Sequence, residues 1–401
     1  MDPRELVLIR PDPRRHKEAV IDLTGKTFGY PYWNWIAHCR GSYFDYAPYD
    51  WSASTIGLLG GRVVTHWGVW GFGMRIGRAV VQVAGIGAVS THGDLRRRGL
   101  MERTAVAGIE AMRAAGYDLS LLFGIRDFYD RFGYVRAWAS PVYVVPVGDL
   151  PTGPLGGRLR AIRPRHRDDL AALYNRTHAG LTGTAVRPTY LRRDRDWQGH
   201  LWTDASGVPA GYLFTRNDRG FFGVHDCAGE ADGLLRAAAR IARREGHREV
   251  RFLGLHYDSE LARRLRRGTC RLEQEYNRSG GPMVRTVNLA SSLEKLTGEL
   301  SARLRGSPLA DWCGRLLIRD SRERVMLDIR RSTVRLGRPG KTSPARHALR
   351  GGDEVTQLLI GADDPQETAA AFGLRPTGRA RDLLPVLFPN QHPLLSLWDG
   401  F

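Results

Sequence analysis

The sequence predicts an α/β (α+β) protein made of three consecutive units, and three observations carry that reading. At 401 residues the chain exceeds what one hydrophobic core serves, given ~150 residues per domain. Extended runs rich in Val, Trp and Phe alternate with stretches of helical periodicity. The order of those elements in the first part of the chain recurs in the second. Hydrophobic residues at 42% and charged residues at 25% place the chain among folded globular proteins rather than disordered ones.

The first unit is expected over residues 1–148. Between Gly61 and Ser90 the sequence reads as extended runs, Arg62–Trp70 and Val80–Ser90, joined by a Gly-rich middle turn. A helix follows from Leu100 to Ala115, with Met101, Ala105, Ile109 and Met112 on one apolar face and Gly116 past its end. Asp118–Gly124 reads as a buried strand, Arg126–Phe132 as a short helix and Ser140–Val147 as a strand. The second unit, 149–287, repeats the pattern. It holds a helix near Asp168–Arg176, strands at Gly211–Arg216 and Gly220–Asp226, a helix at Ala231–Arg244, a strand at Glu249–Leu255 and a helix at Ser259–Arg267. In the third, 288–401, Ser291-Ser292-Leu293-Glu294 has the capping-box pattern before a helix to Leu304. A hairpin of Arg315–Ile318 and Val325–Ile329 turns at Asp320–Glu323, and helical patches cover Glu354–Leu359 and Pro365–Phe372. The tail from Leu387 to Phe401 is apolar to its last residue, which implies a buried terminus.

Charge and cysteines exclude several functions. The net charge is +18, but Lys occurs at positions 17, 26, 295 and 341 alone, and the arginines are scattered as pairs and triplets. That is a solvated basic surface rather than a nucleic-acid footprint, so no nucleic-acid partner is expected. Cys39, Cys227, Cys270 and Cys313 form no Cys-x-x-Cys pair, so neither a metal site nor a disulfide framework is expected, and buried free thiols are the reading. Cys39 beside His38 resembles a nucleophile and base, yet adjacent residues on regular structure point apart. Without a signal core or ~18 apolar residues in a row, a cytoplasmic protein with no membrane span is expected.

Chemistry concentrates in two places. Arg96-Arg97-Arg98-Gly99-Leu100-Met101 lies between a strand ending near Thr91 and the Leu100 helix, where free backbone N–H groups and the positive helix end suit a pyrophosphate. After the next strand comes Phe128-Tyr129-Asp130-Arg131-Phe132-Gly133-Tyr134. Tyr129, protonated at neutral pH, suits a general acid, and Tyr134 is the next candidate. Val80–Ser90 carries no carboxylate, and His92 at the loop edge is a candidate base. Phe28, Tyr30, Tyr32, Trp33 and Trp35, with Asp45 and Asp50, suit either an acceptor wall or a packed core.

This order of elements, with an Arg-x-x-Gly loop and then Phe-Tyr-x-x-x-Gly-Tyr, resembles the GNAT N-acetyltransferase superfamily. Met101 stands where that pattern usually has Gly or Ala. The three-unit layout and the C-terminal Phe narrow the likeness to the enhanced intracellular survival (Eis) acetyltransferases: tandem GNAT-like domains, the second degenerate with Cys227-Ala228-Gly229-Glu230 in place of the loop, then a sterol carrier protein-like domain. The resemblance implies acetyl-CoA as cosubstrate, held by Val89, Ser90, Thr91, Arg97, Arg98, Gly99, Leu100, Met101, Glu102, Gly124 and Ile125. It implies catalysis by Tyr129 and by the terminal carboxylate of Phe401, small-molecule amines such as aminoglycosides, polyamines or lysine side chains as acceptors, and a homo-oligomer, a hexamer in such enzymes. Two other classes stay open: a lipid or small-molecule carrier using the last domain, and a DNA-binding regulator.

Overall fold

The computed structural model describes residues 2–29, 48–188, 198–218, 221–337 and 345–401. Three sheets organise them. The first contains β1 (Val7–Ile9), β2 (Thr55–Leu59), β3 (Arg62–Ile76), β4 (Ala79–Thr91), β5 (Leu119–Gly124) and β6 (Val135–Arg136). Its order is β1-β2-β3-β4-β5, then β14 (Gly281–Thr286), then β6. The Gly-rich middle of the expected three-part run is not a turn: β3 continues through it, because Phe72, Met74 and Ile76 pair with Val83, Val81 and Ala79. The ladder to β4, with backbone bonds to Thr184 and from Val186 on the other edge, outweighs the backbone entropy that glycine adds.

The second sheet has the order β13 (Arg271–Glu275), β7 (Ser140–Pro146), β12 (Glu249–Leu253), β11 (Phe221–Gly229), β10 (Pro209–Asp218), β9 (Gln198–Asp204) and β8 (Gly157–Ala161). The two sheets exchange strands. β7 precedes residue 148 yet pairs with β12 and β13, while β14 pairs with β5 and β6 of the first sheet. The Val-Tyr-Val-Val run announces a strand, but its partners lie more than a hundred residues away. Third comes β15 (Gly314–Arg319), β16 (Arg324–Arg330), β17 (Thr333–Gly337), β18 (Ala348–Arg350) and β19 (Arg375–Thr377), in the order β17-β16-β15-β18-β19.

Nine helices can be named among the described residues: α1 (Lys17–Phe28), α2 (Leu100–Ala114), α3 (Arg167–Thr177), α4 (Ala231–Arg244), α5 (Glu260–Leu265), α6 (Leu289–Arg305), α7 (Val355–Ile360), α8 (Pro365–Ala371) and α9 (Ala380–Leu387). Leu289, Leu293, Leu296, Leu300 and Leu304 give α6 a fully buried face, which joins Phe72, Met74 and Val83 of the first sheet to Leu316, Ile318 and Leu327 of the third in one core. The expected capping box does not form. The N-cap is Asn288, three residues earlier, and Ser291 Oγ instead donates to Asp118 at 2.6 Å, where Lys295 also binds at 2.5 Å. The short helix expected at Arg126–Phe132 is a 3₁₀ turn over Asp130–Phe132. The cysteines also depart from expectation, since Cys313 is exposed and Cys227 and Cys270 are partly exposed, while Cys39 and His38 lie outside the described residues. No helix among the described residues is long and apolar enough to cross a membrane.

Candidate active site

β4 and β5 run parallel, but their pairing ends at Ile86 with Leu122. Beyond that point the strands part, and a cavity of about 690 Å³ opens between them, floored by β4 residues Gly87–Val89 and walled by Phe123 and Ile125. The bend in β4 has a visible cause. The β3–β4 register slips between His66 and Gly68, and Ala88 sits at φ 54°, a left-handed conformation that is costly for a residue with a Cβ. His66 holds it there: its Nδ1–H donates to the Ala88 carbonyl at 2.8 Å, so its Nε2 accepts from the Tyr49 hydroxyl at 2.8 Å. Full burial lowers the His66 pKa to about 4, so the ring is neutral at physiological pH.

The Arg-rich loop closes one end of the cavity. Arg97 has φ 61° and Gly99 φ 73°, and Gly99 is the N-cap of α2 without any side-chain hydrogen bond to the helix. A Cβ at Gly99 would meet open space, so the residue is required for its left-handed backbone and not for room. An uncapped helix start facing a cavity favours an anion, because its first N–H groups lack partners and share the positive end of the helix dipole.

At the other end lie Tyr129 and the C-terminus. Tyr129 stacks edge-on against Phe128 at 4.8 Å and packs near Trp67, which fixes its ring. Its hydroxyl has no protein hydrogen-bond partner among the described residues, and burial pushes its pKa up to about 12. The Tyr134 hydroxyl is instead bonded to Ser120 at 2.7 Å, fully buried and outside the cavity, so the structure does not place it as an alternative donor. The Phe401 ring lies 5.7 Å from Phe72 and 5.8 Å from Phe123. A Cβ on Gly85 would come within 2.5 Å of that ring, so the tail approaches β4 only because residue 85 is glycine.

Of the residues singled out from the sequence, Val89, Thr91, Arg97, Gly99, Leu100, Met101, Glu102, Ile125, Tyr129 and Phe401 line this single cavity. Ser90 does not: it is buried on the other side of β4 and donates to the Ala88 carbonyl. Arg98 is exposed outside it, and Gly124 backs onto the Tyr129 ring. His92 also lies outside the cavity lining, beside Asp94 at 3.9 Å. Asp50 is engaged elsewhere, accepting from Tyr117 at 2.7 Å and from Ser52, whereas Phe28 does reach the cavity. Tyr30, Tyr32, Trp33, Trp35 and Asp45 lie outside the described residues. Sequence reasoning missed His66, Gly85 and Phe123; the Gly-Ile-Gly spacing on an otherwise apolar strand was the available signal.

Residues 15–137 match the family model of the acetyltransferase (GNAT) domain. Among solved structures, the chain is similar to a GCN5-related N-acetyltransferase from Kribbella flavida, at 19% identity and a TM-score of 0.74, covering 99% of this chain and 100% of that one. A GCN5-related N-acetyltransferase from Anabaena variabilis is similar at 16% identity and a TM-score of 0.76, with the same coverage. Eis1 from Mycobacterium abscessus is similar at 14% identity and a TM-score of 0.69, again over 99% of this chain and 100% of that one. No curated protein sequence matches the chain. The parted strands, the open helix start and the matched domain agree: the chain carries a GNAT acetyltransferase domain and is an acyltransferase enzyme.

Proposed function

We propose that the enzyme transfers the acetyl group of acetyl-CoA to a primary amine, with Tyr129 as the acid and the terminal carboxylate of Phe401 as the base. One observation carries this reading: Tyr129, Phe401 and the Arg97–Glu102 turn face the same cavity. The turn and the start of α2 take the pyrophosphate, and Val89 and Thr91 of β4 with Ile125 past β5 flank the rest of the coenzyme.

The acceptor arrives as an ammonium and first loses a proton to solvent. Its nitrogen then attacks the thioester carbonyl carbon, and collapse of the tetrahedral adduct breaks the C–S bond. The surplus proton on nitrogen passes to the Phe401 carboxylate, and the Tyr129 hydroxyl donates to the sulfur, giving amide and free thiol. Proton exchange through solvent resets both groups. A terminal carboxylate has a reference pKa of ~3.5, so displacement of water by the acceptor is part of what makes it a base. Burial keeps Tyr129 protonated, and the same dry surroundings raise the basicity of the leaving thiolate beside it.

Aminoglycosides, polyamines and lysine side chains are the acceptors to try first, and the sterol carrier-like reading of the third sheet and a hexameric state belong to the same proposal, all resting on the resemblance of the sequence motifs to the Eis acetyltransferases. Release of free thiol from acetyl-CoA against such a panel tests the reaction, with turnover expected only when an amine is present. The sharper test appends Gly-Ser to Phe401, which converts the carboxylate into a neutral peptide bond and leaves the ring in place. Loss of turnover by ~10²-fold or more, with coenzyme affinity kept, is expected. Normal turnover by the extended protein at an unchanged melting temperature refutes the carboxylate as base.

A further inference from the structure

The segment that delivers Phe401 is held by Tyr174 of α3 and by Arg187, which is in turn tied to Asp226 of the second sheet, through buried charges. Asp399, fully buried, accepts from Arg187 Nε at 2.7 Å and from the Tyr174 hydroxyl at 2.9 Å. Arg187, 2% exposed, also binds Asp226 at 2.9 and 3.2 Å, and its guanidinium lies 3.4 Å from the centre of the Tyr174 ring. Tyr212 completes the cluster, donating to Asp226 at 2.9 Å. From the first sheet, buried Arg75 donates to the Ala185 carbonyl and to Asn175 at 2.8 Å; burial works against its charge, while Tyr174 and Asp399 favour it. Two carboxylates therefore share the Arg187 guanidinium beneath the tail, and Asp399 also acts on the charge of Arg75.

Holding an apolar tail does not require this. Trp398 already packs on Phe214 at 4.8 Å, and the Leu394 N–H already donates to the Thr182 carbonyl. Buried ion pairs are expensive to desolvate, and apolar replacements of similar shape are often as stable. What a forked guanidinium between two carboxylates adds is a single geometry. Asp399 stands two residues before the terminal carboxylate, a reach of ~7 Å, so fixing it fixes where that carboxylate can go.

The geometry points to Arg187 and Asp399 as a positioning pair: the second sheet is the seat that aims the Phe401 carboxylate into the transfer cavity. The inference rests on the proposed role of Phe401. Asp399 and Arg187 touch no reacting atom and act through the tail.

Asp399→Asn keeps the shape and the Tyr174 contact and removes the charge. Its kcat should fall at least tenfold, with coenzyme affinity and the KM for acetyl-CoA unchanged, and hydrogen exchange in the 393–401 peptide should rise. A merely stabilising pair would lower the melting temperature and leave kcat and tail exchange alone well below it. Tyr174→Phe, which removes one hydrogen bond to Asp399 and keeps the ring beneath Arg187, should show the same pattern at roughly threefold and decides the matter if the Asn variant does not fold. Full-speed turnover with unchanged tail exchange in these variants overturns the inference, even where the Gly-Ser extension inactivates. If the extension leaves turnover normal, the base assignment fails instead, and tail exchange alone judges the seat.

Discussion

The first and second sheets each part a parallel strand pair in front of a helix, and the two clefts are filled in opposite ways. β4 and β5 separate after Ile86 and Leu122; β11 and β12 separate after Val224 and Phe252. The first cleft keeps a cavity of about 690 Å³, whereas the second, lined by Val224–Cys227 and Leu253–His256, keeps about 20 Å³ where Leu394 and Ser396 of the tail lie in it, with a separate cavity of about 300 Å³ beyond Leu253 and Gly254. The helix starts differ in the same sense. α2 begins at Gly99 with no side-chain cap, while Glu230 caps α4 by accepting from the N–H groups of Asp232 at 2.8 Å and Gly233 at 2.7 Å. One geometry thus leaves the helix start open or closed, according to whether the chain supplies its own carboxylate.

The largest way to break this contrast is to supply a carboxylate to the first helix as well. Gly99→Asp places a negative side chain where the pyrophosphate is proposed to sit, and it forces a Cβ into a left-handed backbone position. Acetyl-CoA binding measured by calorimetry should vanish in a protein that still melts cooperatively. Retained affinity in a folded variant rules the loop out as the anion site.

Next in size is Tyr129→Phe. The ring contacts with Phe128 and Trp67 survive and the unpartnered hydroxyl goes, so kcat should fall by ~10²-fold with coenzyme affinity kept. A loss below threefold assigns the proton to another donor.

The first cleft was more legible in the sequence than the second because its parts are close in the chain. Strand, Arg-rich turn and helix are contiguous from Val80 to Ala114, and Tyr129 follows within one further strand. The apolar run to Phe401 betrayed the buried tail, since charged residues usually keep termini in water. Asp399 inside that run was the unread signal: a lone carboxylate among Leu, Trp and Phe needs a buried partner. Its partner, Arg187, lies 212 residues away and looks in sequence like any of the scattered arginines. The exchange of β7 and β14 was illegible for the same reason, as alternation of side chains reveals a strand and not its neighbours. At Ser291 a local pattern misled, because the buried carboxylate of Asp118 competes for the hydroxyl that a capping box needs.

The clefts share one trait, and acid should expose it. Burial lowers His66 under the first cleft to about 4, and His178 and His256 beside the second to about 3 and about 4. Each is ~6.5 when unfolded, so between those values the unfolded chain binds protons that the native chain refuses. Stability therefore rises with pH in this window and is lost as pH falls from ~6.5 towards 4. For His66 the difference is on the order of 3 kcal/mol, at ~1.4 kcal/mol per pH unit. A melting temperature that drops steadily from pH 7 to pH 5 is expected, and His66→Gln should flatten that slope. A flat profile in the parent protein contradicts neutral burial.

The smallest effect is the most discriminating about the comparison itself. Glu230→Ala removes the carboxylate that caps α4 and leaves two N–H groups of its first turn without their partner. Loss of such a cap costs ~1 kcal/mol, which lowers the melting temperature by a few degrees at most. Leu394 and Ser396 still fill the cleft, and Trp202 still packs so tightly on α4 that a Cβ at Gly233 would come within 2.0 Å of its ring. An anion site needs both an open helix start and an open cleft, so uncapping alone should create no second coenzyme site. Calorimetry should return the parent stoichiometry, with kcat unchanged because the Asp399 seat is untouched. A second binding event in Glu230→Ala would show that the cap, and not the tail, is what closes the second cleft.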